Sequence, residues 1–228
     1  MEDESIQNIK VAVDAVVFGY HPENGLLILL IRRGIEPFKL DWALPGGLVL
    51  NHETLEEAIQ RELVEETNLK IDYLEQLYSF GNVHRDPRNR VISIAYFALI
   101  HPEKLNAGTD AEDAQWFSLK NLPQLAFDHS LIIETAYNRL KAKLTYEPIG
   151  FELLDKNFIF SDLEKLYSTV LEKPLDRRNF KKKIMQFGFI EATNEKAEIS
   201  GAGRPGNLYR FNEQKYFEQK AKGILFEI

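Results

Sequence analysis

The sequence predicts an α/β domain with a mixed sheet between helices, followed by a smaller α+β domain of winged helix-turn-helix order. Three observations carry this. Short apolar runs alternate with turn signals through the front of the chain, and a Pro-Gly-Gly break precedes a long amphipathic helix. The back of the chain then reads helix, helix, hairpin, with a Gly-rich basic tip. At 228 residues there is room for one mid-sized unit, 1–148, and a smaller one, 149–228.

In order, Val11–Phe18 and Leu26–Ile31 read as strands joined by the turn-rich segment Gly19–Gly25. Leu44-Pro45-Gly46-Gly47 breaks the chain ahead of a helix over about Leu55–Thr67. Val91–Leu99 is a further apolar strand, Asp113–Phe117 leads into a short one, and Asp128 can cap a helix reaching about Lys143. Leu144–Gly150, with Pro148, reads as a linker.

Behind the linker, Ser161 and Glu164 have capping-box spacing and open a helix with Leu163, Leu166, Tyr167 and Val170 on one face. Pro174 interrupts, Asp176 can cap a second helix and Gly188 can end it. Phe189–Thr193, a polar turn, the run Gly201–Gly206 and Leu208–Phe211 supply the hairpin.

Composition narrows the function classes. Hydrophobic residues make up 44% and charged residues 28%, which excludes a largely disordered chain. The longest near-apolar stretch, Val91–Ile100, falls well short of the roughly 20 residues of a spanning helix, so no membrane segment is expected. The acidic start Met1-Glu2-Asp3-Glu4 is unlike a signal peptide. With no cysteine, disulfides, thiolate metal sites and cysteine nucleophiles are excluded, and a reducing cytoplasm is the simplest location. The net charge of −7 is uneven: 14 Lys and Arg stand against 12 Asp and Glu from Ile149 onward, and 14 against 23 before it. An acidic front and a slightly basic back point to different partners for the two halves.

The informative stretch of the front half is Gly47-x5-Glu53-x7-Arg61-Glu62-Leu63-x-Glu65-Glu66-x-Asn68-Leu69. On a helical wheel Glu62, Glu65 and Glu66 crowd an arc that overlaps the apolar side of Leu55, Ile59 and Leu63. Like charges repel there, and partly desolvated carboxylates need a counter-charge such as Mg²⁺, which takes oxygen ligands and bridges to phosphate. A plain solvated helix edge, with Glu57 and Arg61 as an i,i+4 pair, is the competing reading. The spacing back through the Pro-Gly-Gly turn decides against it. The stretch resembles the Nudix box, the signature of hydrolases acting on nucleoside diphosphates linked to another group. That resemblance implies Glu62, Glu65 and Glu66 as metal ligands, one also serving as base, and Arg61 as the residue that orients them. Asn68 stands where the family has glycine, a mild departure because Asn tolerates the left-handed conformation that ends a helix.

In the back half, Asp176–Gly188 sets Phe180, Ile184 and Phe187 on one side and Arg178, Asn179, Lys182 and Gln186 on the other, flanked by Lys181 and Lys183. Arg and Asn near the start of an exposed helix read guanine and adenine edges, while lysines suit phosphates. Arg177 joins this set, and Arg204 and Arg210 near the hairpin tip can reach phosphate or a minor groove. A merely solvated basic face is the alternative; the order of parts favours DNA.

The pairing of this front with Leu175–Phe180 and Gly203–Phe211 resembles the Nudix-related, NrtR-like transcriptional regulators, as do Arg85-Asp86-Pro87-Arg88 and Phe127-Asp128-His129. The resemblance covers nearly the whole chain. It implies a Nudix fold that senses a small-molecule effector, a winged helix that grips double-stranded operator DNA, and a homodimer. Some members sense ADP-ribose; overall resemblance assigns this chain to the arabinose-responsive, AraR-type branch, a repressor of sugar catabolism with L-arabinose as effector. The alternative is a Mg²⁺-dependent pyrophosphohydrolase acting on ADP-ribose or another nucleoside diphosphate derivative. Trp42, Arg85 and Arg88 are the candidate effector contacts; the plainer readings are that Trp42 packs beside the Pro-Gly-Gly turn and that the arginines pair with acids of this domain. The apolar run Ile224–Ile228 is expected to dock, with a subunit interface as one place for it.

Overall fold

The apolar run beginning at Val11 forms β1 (Lys10–His21), where Val13, Ala15 and Val17 point to one side and Val16 and Phe18 to the other, all fully buried. A strand covered on both faces belongs in the middle of a sheet. β2 (Gly25–Arg32) and β6 (Val91–Leu99) flank it, β6 running parallel with Lys10 opposite Val91. β3 (Trp42–Ala43) and β5 (Tyr73–Phe80) extend the sheet antiparallel to β2 and β6; β4 (Gly46–Leu48) pairs with β1 and β7 (Ala114–Ser118) with β2. Among the described residues this makes a seven-stranded mixed sheet.

The computed structural model describes residues 8–102, 114–197, 206–223 and 226–228. They fall into two units: Met1–Gly19 with Leu27–Asn138, and Tyr20–Leu26 with Arg139–Ile228. Among the described residues no helix is long and apolar enough to cross a membrane.

α1 (Leu55–Thr67) packs Ala58, Ile59 and Leu63 into one core cluster with Val13, Ala15 and Val17 of β1. Burying each of the larger side chains contributes about 1.5–3 kcal/mol. Thr54 caps the helix, accepting from the Glu57 N–H, and Glu57 accepts from the Thr54 N–H in return. That box occupies Glu57, and the Glu57–Arg61 pair of the competing solvated-edge reading gives way to other partners of Arg61. Asn68 ends α1 in the left-handed conformation, φ 55°, as its side chain allows.

α2 (His129–Tyr146) runs past Lys143, so Leu144–Tyr146 are helical rather than linker. The reason is local: Leu144 is buried, and a 2.7 Å Lys143–Glu147 ion pair spans the last turn. Asp128 lends α2 its carbonyl, to the Leu131 and Ile132 N–H groups, while its carboxylate goes to Arg85 instead of capping.

In the second unit a 3₁₀ turn, Phe151–Leu153, precedes β8 (Phe158–Ile159); β8 and β9 (Ile190–Lys196) flank β10 (Asn207–Phe211) in an antiparallel sheet. Because β8 takes the chain up to Ile159, α3 (Phe160–Leu171) begins at once. Ile159 is its cap, Ser161 lies inside the first turn, and the expected Ser161–Glu164 box does not form. Asp162 reaches back to the Ile159 backbone in its place. α4 (Arg177–Phe187) starts and stops as the sequence predicts, with Asp176 accepting from the Asn179 N–H at 3.0 Å and Gly188 at φ 71°. Leu163, Leu166, Tyr167 and Val170 are buried on α3, and the Tyr167 ring lies 4.9 Å from that of Phe180. α5 (Glu213–Ala221), capped by Asn212, follows the hairpin and buries Tyr216. Phe226 is only 2% exposed; Ile224 and Leu225 lie outside the described residues.

Candidate ligand pocket and basic helix

One acid interrupts the buried run of β1. Asp14 cannot sit in a hydrophobic sheet unpaired, and three groups answer it. Ser93 donates to its Oδ2, Arg85 reaches the same oxygen at 3.4 Å, and His129 Nε2 lies 3.5 Å from Oδ1. Arg85 also forks Asp128 at 2.7 and 3.0 Å. His129 Nδ1 accepts from the Leu44 N–H at 2.9 Å, so the neutral ring carries its proton on Nε2, toward Asp14. Burial holds the imidazole below its usual value and neutral.

Above this floor is a cavity of about 90 Å³, lined among others by Asp14, Arg33, Gly46, Arg85, Arg88 and Phe127. Arg33 and Arg88 both face the Phe127 ring, with guanidinium carbons 4.7 and 6.0 Å from its centre, and Phe38 meets the ring edge at 4.8 Å. Arg88 is neutralised by Asp86 at 2.8 Å. Arg33 has no carboxylate at ion-pair distance among the described residues and donates instead to the Pro37 carbonyl at 3.0 Å. Burial, then the neighbouring Arg88, bring the Arg33 guanidinium below its usual value. Such a cation gains from an incoming anion. Phe127 has φ 51°, a left-handed backbone that is strained for a bulky residue.

The carboxylates of α1 border the same turn. Gly46 is required by close approach, since a Cβ there would lie 2.2 Å from the Val13 carbonyl oxygen; a Cβ on Gly47 would lie 2.1 Å from Glu62 Oε1 and would push that carboxylate aside. Glu66 accepts from the Gly46 N–H at 2.8 Å. Burial, with Glu62 and Asp14 nearby, pushes its carboxyl up to about 8 against that hydrogen bond. Arg61 gathers the rest: it holds Glu53 through two nitrogens at 2.7 and 2.9 Å, Glu62 at 2.7 Å and Glu65 at 3.1 Å. The hydrogen bonds from Arg61 hold Glu53 down at about 2. As placed, no three His, Asp or Glu side chains among the described residues converge on one ion. The chemistry of the set nonetheless fits a hard dication: all donors are oxygen, and crowding of like charge at Glu66 is the cost such an ion removes.

The basic set of α4 and the hairpin divides by partner. Arg177 pairs with Glu164 at 3.0 Å, Asn179 donates to Asp176 at 2.8 Å, and Arg210 pairs with Glu191. Lys181 lies 5.3 Å above the Phe160 and Tyr209 rings, and Lys183 donates to the Glu227 carbonyl. Arg178 and Lys182 are exposed, with no hydrogen bond or ion pair to the described residues. Arg204 lies outside the described residues.

Of the expected effector contacts, Arg85 and Arg88 line the cavity and also pair with acids; Trp42 does not line it, its ring packing edge-on against Phe117 at 4.7 Å. Sequence reasoning passed over Asp14 and Arg33. The signal for Asp14 was present, a lone acid inside an apolar strand. For Arg33 there was only its place just beyond the end of a strand.

Residues 9–136 match the family model described as the NUDIX domain, and residues 150–211 match that of the NrtR DNA-binding winged helix domain. The chain is 34% identical over 211 residues to the "ADPR responsive transcriptional repressor NtrR" of Acinetobacter baylyi, covering 90% of this chain and 83% of that one. It is similar in structure to Shewanella oneidensis NrtR complexed with a 27mer DNA, with TM-score 0.82, 32% identity, and coverage of 91% of this chain and 95% of that one. The front half is 48% identical over 124 residues to the ADP-ribose pyrophosphatase of Methanocaldococcus jannaschii, covering 54% of this chain and 70% of that one.

Proposed function

The chain belongs to the NrtR-like family, in which a Nudix domain is followed by a DNA-binding winged helix, and from that premise we propose that it is a transcriptional repressor that responds to ADP-ribose. The observation that carries the ligand class is Arg33 beside Arg88 across the Phe127 ring. Two guanidiniums crowd one cavity, and one of them has no carboxylate at ion-pair distance among the described residues. A diphosphate supplies the missing negative charge, and guanidinium forks suit phosphate oxygens. At about 90 Å³ the cavity is smaller than the roughly 300 Å³ or more of a site that encloses a whole small ligand, so part of a nucleotide sugar extends beyond it. A free pentose brings no charge and leaves Arg33 as it is. The arabinose-responsive, sugar-catabolic reading finds no support among the relatives above, and ADP-ribose takes its place.

Arg178 and Lys182 are the side chains of α4 best placed for duplex DNA, since the other described basic residues of the set are engaged within their own domain. Two copies of the chain, bound as a homodimer, would place two such helices on successive half-sites and multiply their modest individual contacts. ADP-ribose represses binding only if it favours a state of the dimer that fits the operator less well. The effector-binding part is 1–148 and the DNA-binding part 149–228.

A second reading, pyrophosphohydrolase activity in the same domain, is favoured by the intact set Glu62, Glu65 and Glu66 with Arg61 placed among them. Mg²⁺ would be held by these three glutamates, two of them exchanging Arg61 for the ion; when bound it polarises phosphate oxygens. The two roles are compatible.

The deciding experiment measures anisotropy of a duplex that the intact chain selects from a random library, with ADP-ribose or L-arabinose added. ADP-ribose should weaken binding and raise the melting temperature of the free protein, and Arg33→Ala should remove both effects. If millimolar ADP-ribose changes neither quantity, the effector assignment is wrong. Release of AMP and ribose phosphate in Mg²⁺, abolished by Glu65→Gln, would establish the enzymatic reading.

A further inference from the structure

We propose that Phe226, Glu227 and Ile228 form a clamp that sets the position of α4, making them positioning residues for DNA binding; the proposal rests on the reading of α4 as the DNA-contacting helix. An 11-residue helix is marginal alone, so its axis is fixed by what packs on it. Along the inner face Phe180 and Ile184 do this, both buried. Ile184 opens the last turn, three residues before the helix ends at Phe187.

The end of that turn is met by another segment. Phe187, the final residue of α4, stacks on Phe189 at 5.1 Å and 10°. The Phe226 ring closes over this pair, 6.0 Å from Phe187 and 6.1 Å from Phe189. One residue on, the Glu227 carbonyl accepts from the Lys183 ammonium on the neighbouring turn of α4. The next residue, Ile228, donates its N–H to the Thr145 carbonyl near the end of α2 at 3.0 Å. Three consecutive residues therefore hold α4 by its ring and by its lysine, and anchor themselves to α2.

α5 reinforces the anchor. Tyr216 lies 6.2 Å from Phe189 and donates its O–H to Glu147, which also binds Lys220 at 2.8 Å and Lys143 at 2.7 Å. Tyr216, Lys220 and Phe226–Ile228 lie beyond residue 211, where the match to the winged-helix family model stops. It follows that Lys183, of the type expected to meet phosphate, is committed to the clamp, and that Phe226 acts on DNA through α4 without touching it.

The test uses the full chain with Phe226→Ala, Phe226→Leu or Lys183→Met, binding a duplex selected by the unsubstituted chain and a scrambled duplex, across a salt series. Phe226→Ala should lose about tenfold in affinity for the selected duplex. Its salt slope and its scrambled-duplex binding should stay unchanged, because no phosphate contact is removed. Phe226→Leu should recover most of the loss, and Lys183→Met should behave like Phe226→Ala. A fall of about one in the slope for Lys183→Met would make it a phosphate contact and overturn the clamp. So would wild-type selectivity in Phe226→Ala. If Phe226→Ala does not fold, Lys183→Met and Phe226→Leu decide between the same two outcomes. If the unsubstituted chain selects no duplex, the DNA-binding reading fails and the clamp fails with it.

Discussion

Arg85 forks both carboxylate oxygens of Asp128, at 2.7 and 3.0 Å, and the same guanidinium reaches Asp14 across the floor of the cavity. The side chains of Arg85, Asp14 and Asp128 are only 5%, 10% and 18% exposed, so each charge depends on the others. Removing one partner of a buried pair leaves a desolvated charge uncompensated. Arg85→Leu should therefore cost about 3–5 kcal/mol in urea unfolding, while the double variant Arg85→Leu with Asp128→Leu should cost clearly less than the two single costs added. Strict additivity would show that the fork contributes nothing by coupling.

A pH prediction comes from Glu147. Burial raises its carboxyl, but hydrogen bonds from Lys143, Lys220 and Tyr216 outweigh burial and hold it down at about 2. A carboxyl depressed on folding stabilises the folded state fully above its unfolded value, near 4.5, and loses that contribution as pH falls toward the folded value. Lys220 is half exposed and screened, so the contribution is about 2 kcal/mol rather than the full span of the shift. Stability measured by denaturant should fall between pH 4.5 and 2 more steeply in the parent than in Glu147→Gln. Parallel curves would contradict this.

Much of this molecule was legible in the sequence because the relevant signals are local. Thirteen residues of α1 and eleven of α4 keep helical periodicity, and their ends carry Asn68, Asp176 and Gly188 in conformations those residue types favour. The Ser161–Glu164 box failed for a non-local reason: β10 draws Phe158 and Ile159 into a sheet, and the helix must start directly after it. Arg61 likewise passed over Glu57 for Glu53, eight residues back, because the turn before α1 brings Glu53 alongside it. The pocket was half visible. Arg85 and Arg88 stood in one short motif, whereas Asp14, Arg33 and Phe127 come from three separated segments that only the sheet brings together.

Arg61 provides a third prediction. It is the common donor to Glu53, Glu62 and Glu65, and without it three carboxylates lose their counter-charge. Arg61→Gln should lower the melting temperature in metal-free buffer by several degrees, as a loss of about 1–2 kcal/mol would. Millimolar Mg²⁺ should restore more of that loss in the variant than it adds to the parent, because a dication replaces the missing positive charge. An equal Mg²⁺ effect on both proteins would separate the α1 carboxylates from metal binding.

The last prediction separates the basic residues of the second unit by what each already touches. Arg178 and Lys182 have no partner among the described residues, so each is available to displace a counterion from DNA. Arg177 and Arg210 must first leave Glu164 and Glu191, and the acid left behind repels phosphate. Replacing either Arg178 or Lys182 by Ala should reduce the slope of log affinity against log salt by about one. Arg178→Ala should in addition narrow the gap between selected and scrambled duplexes, since an arginine near the start of the helix is placed to read a base edge as well as a phosphate. Arg177→Ala and Arg210→Ala should leave the slope nearly unchanged. Equal slopes for all four variants would mean that the ion pairs to Glu164 and Glu191 open freely on DNA and that partner status within the domain does not sort the contacts.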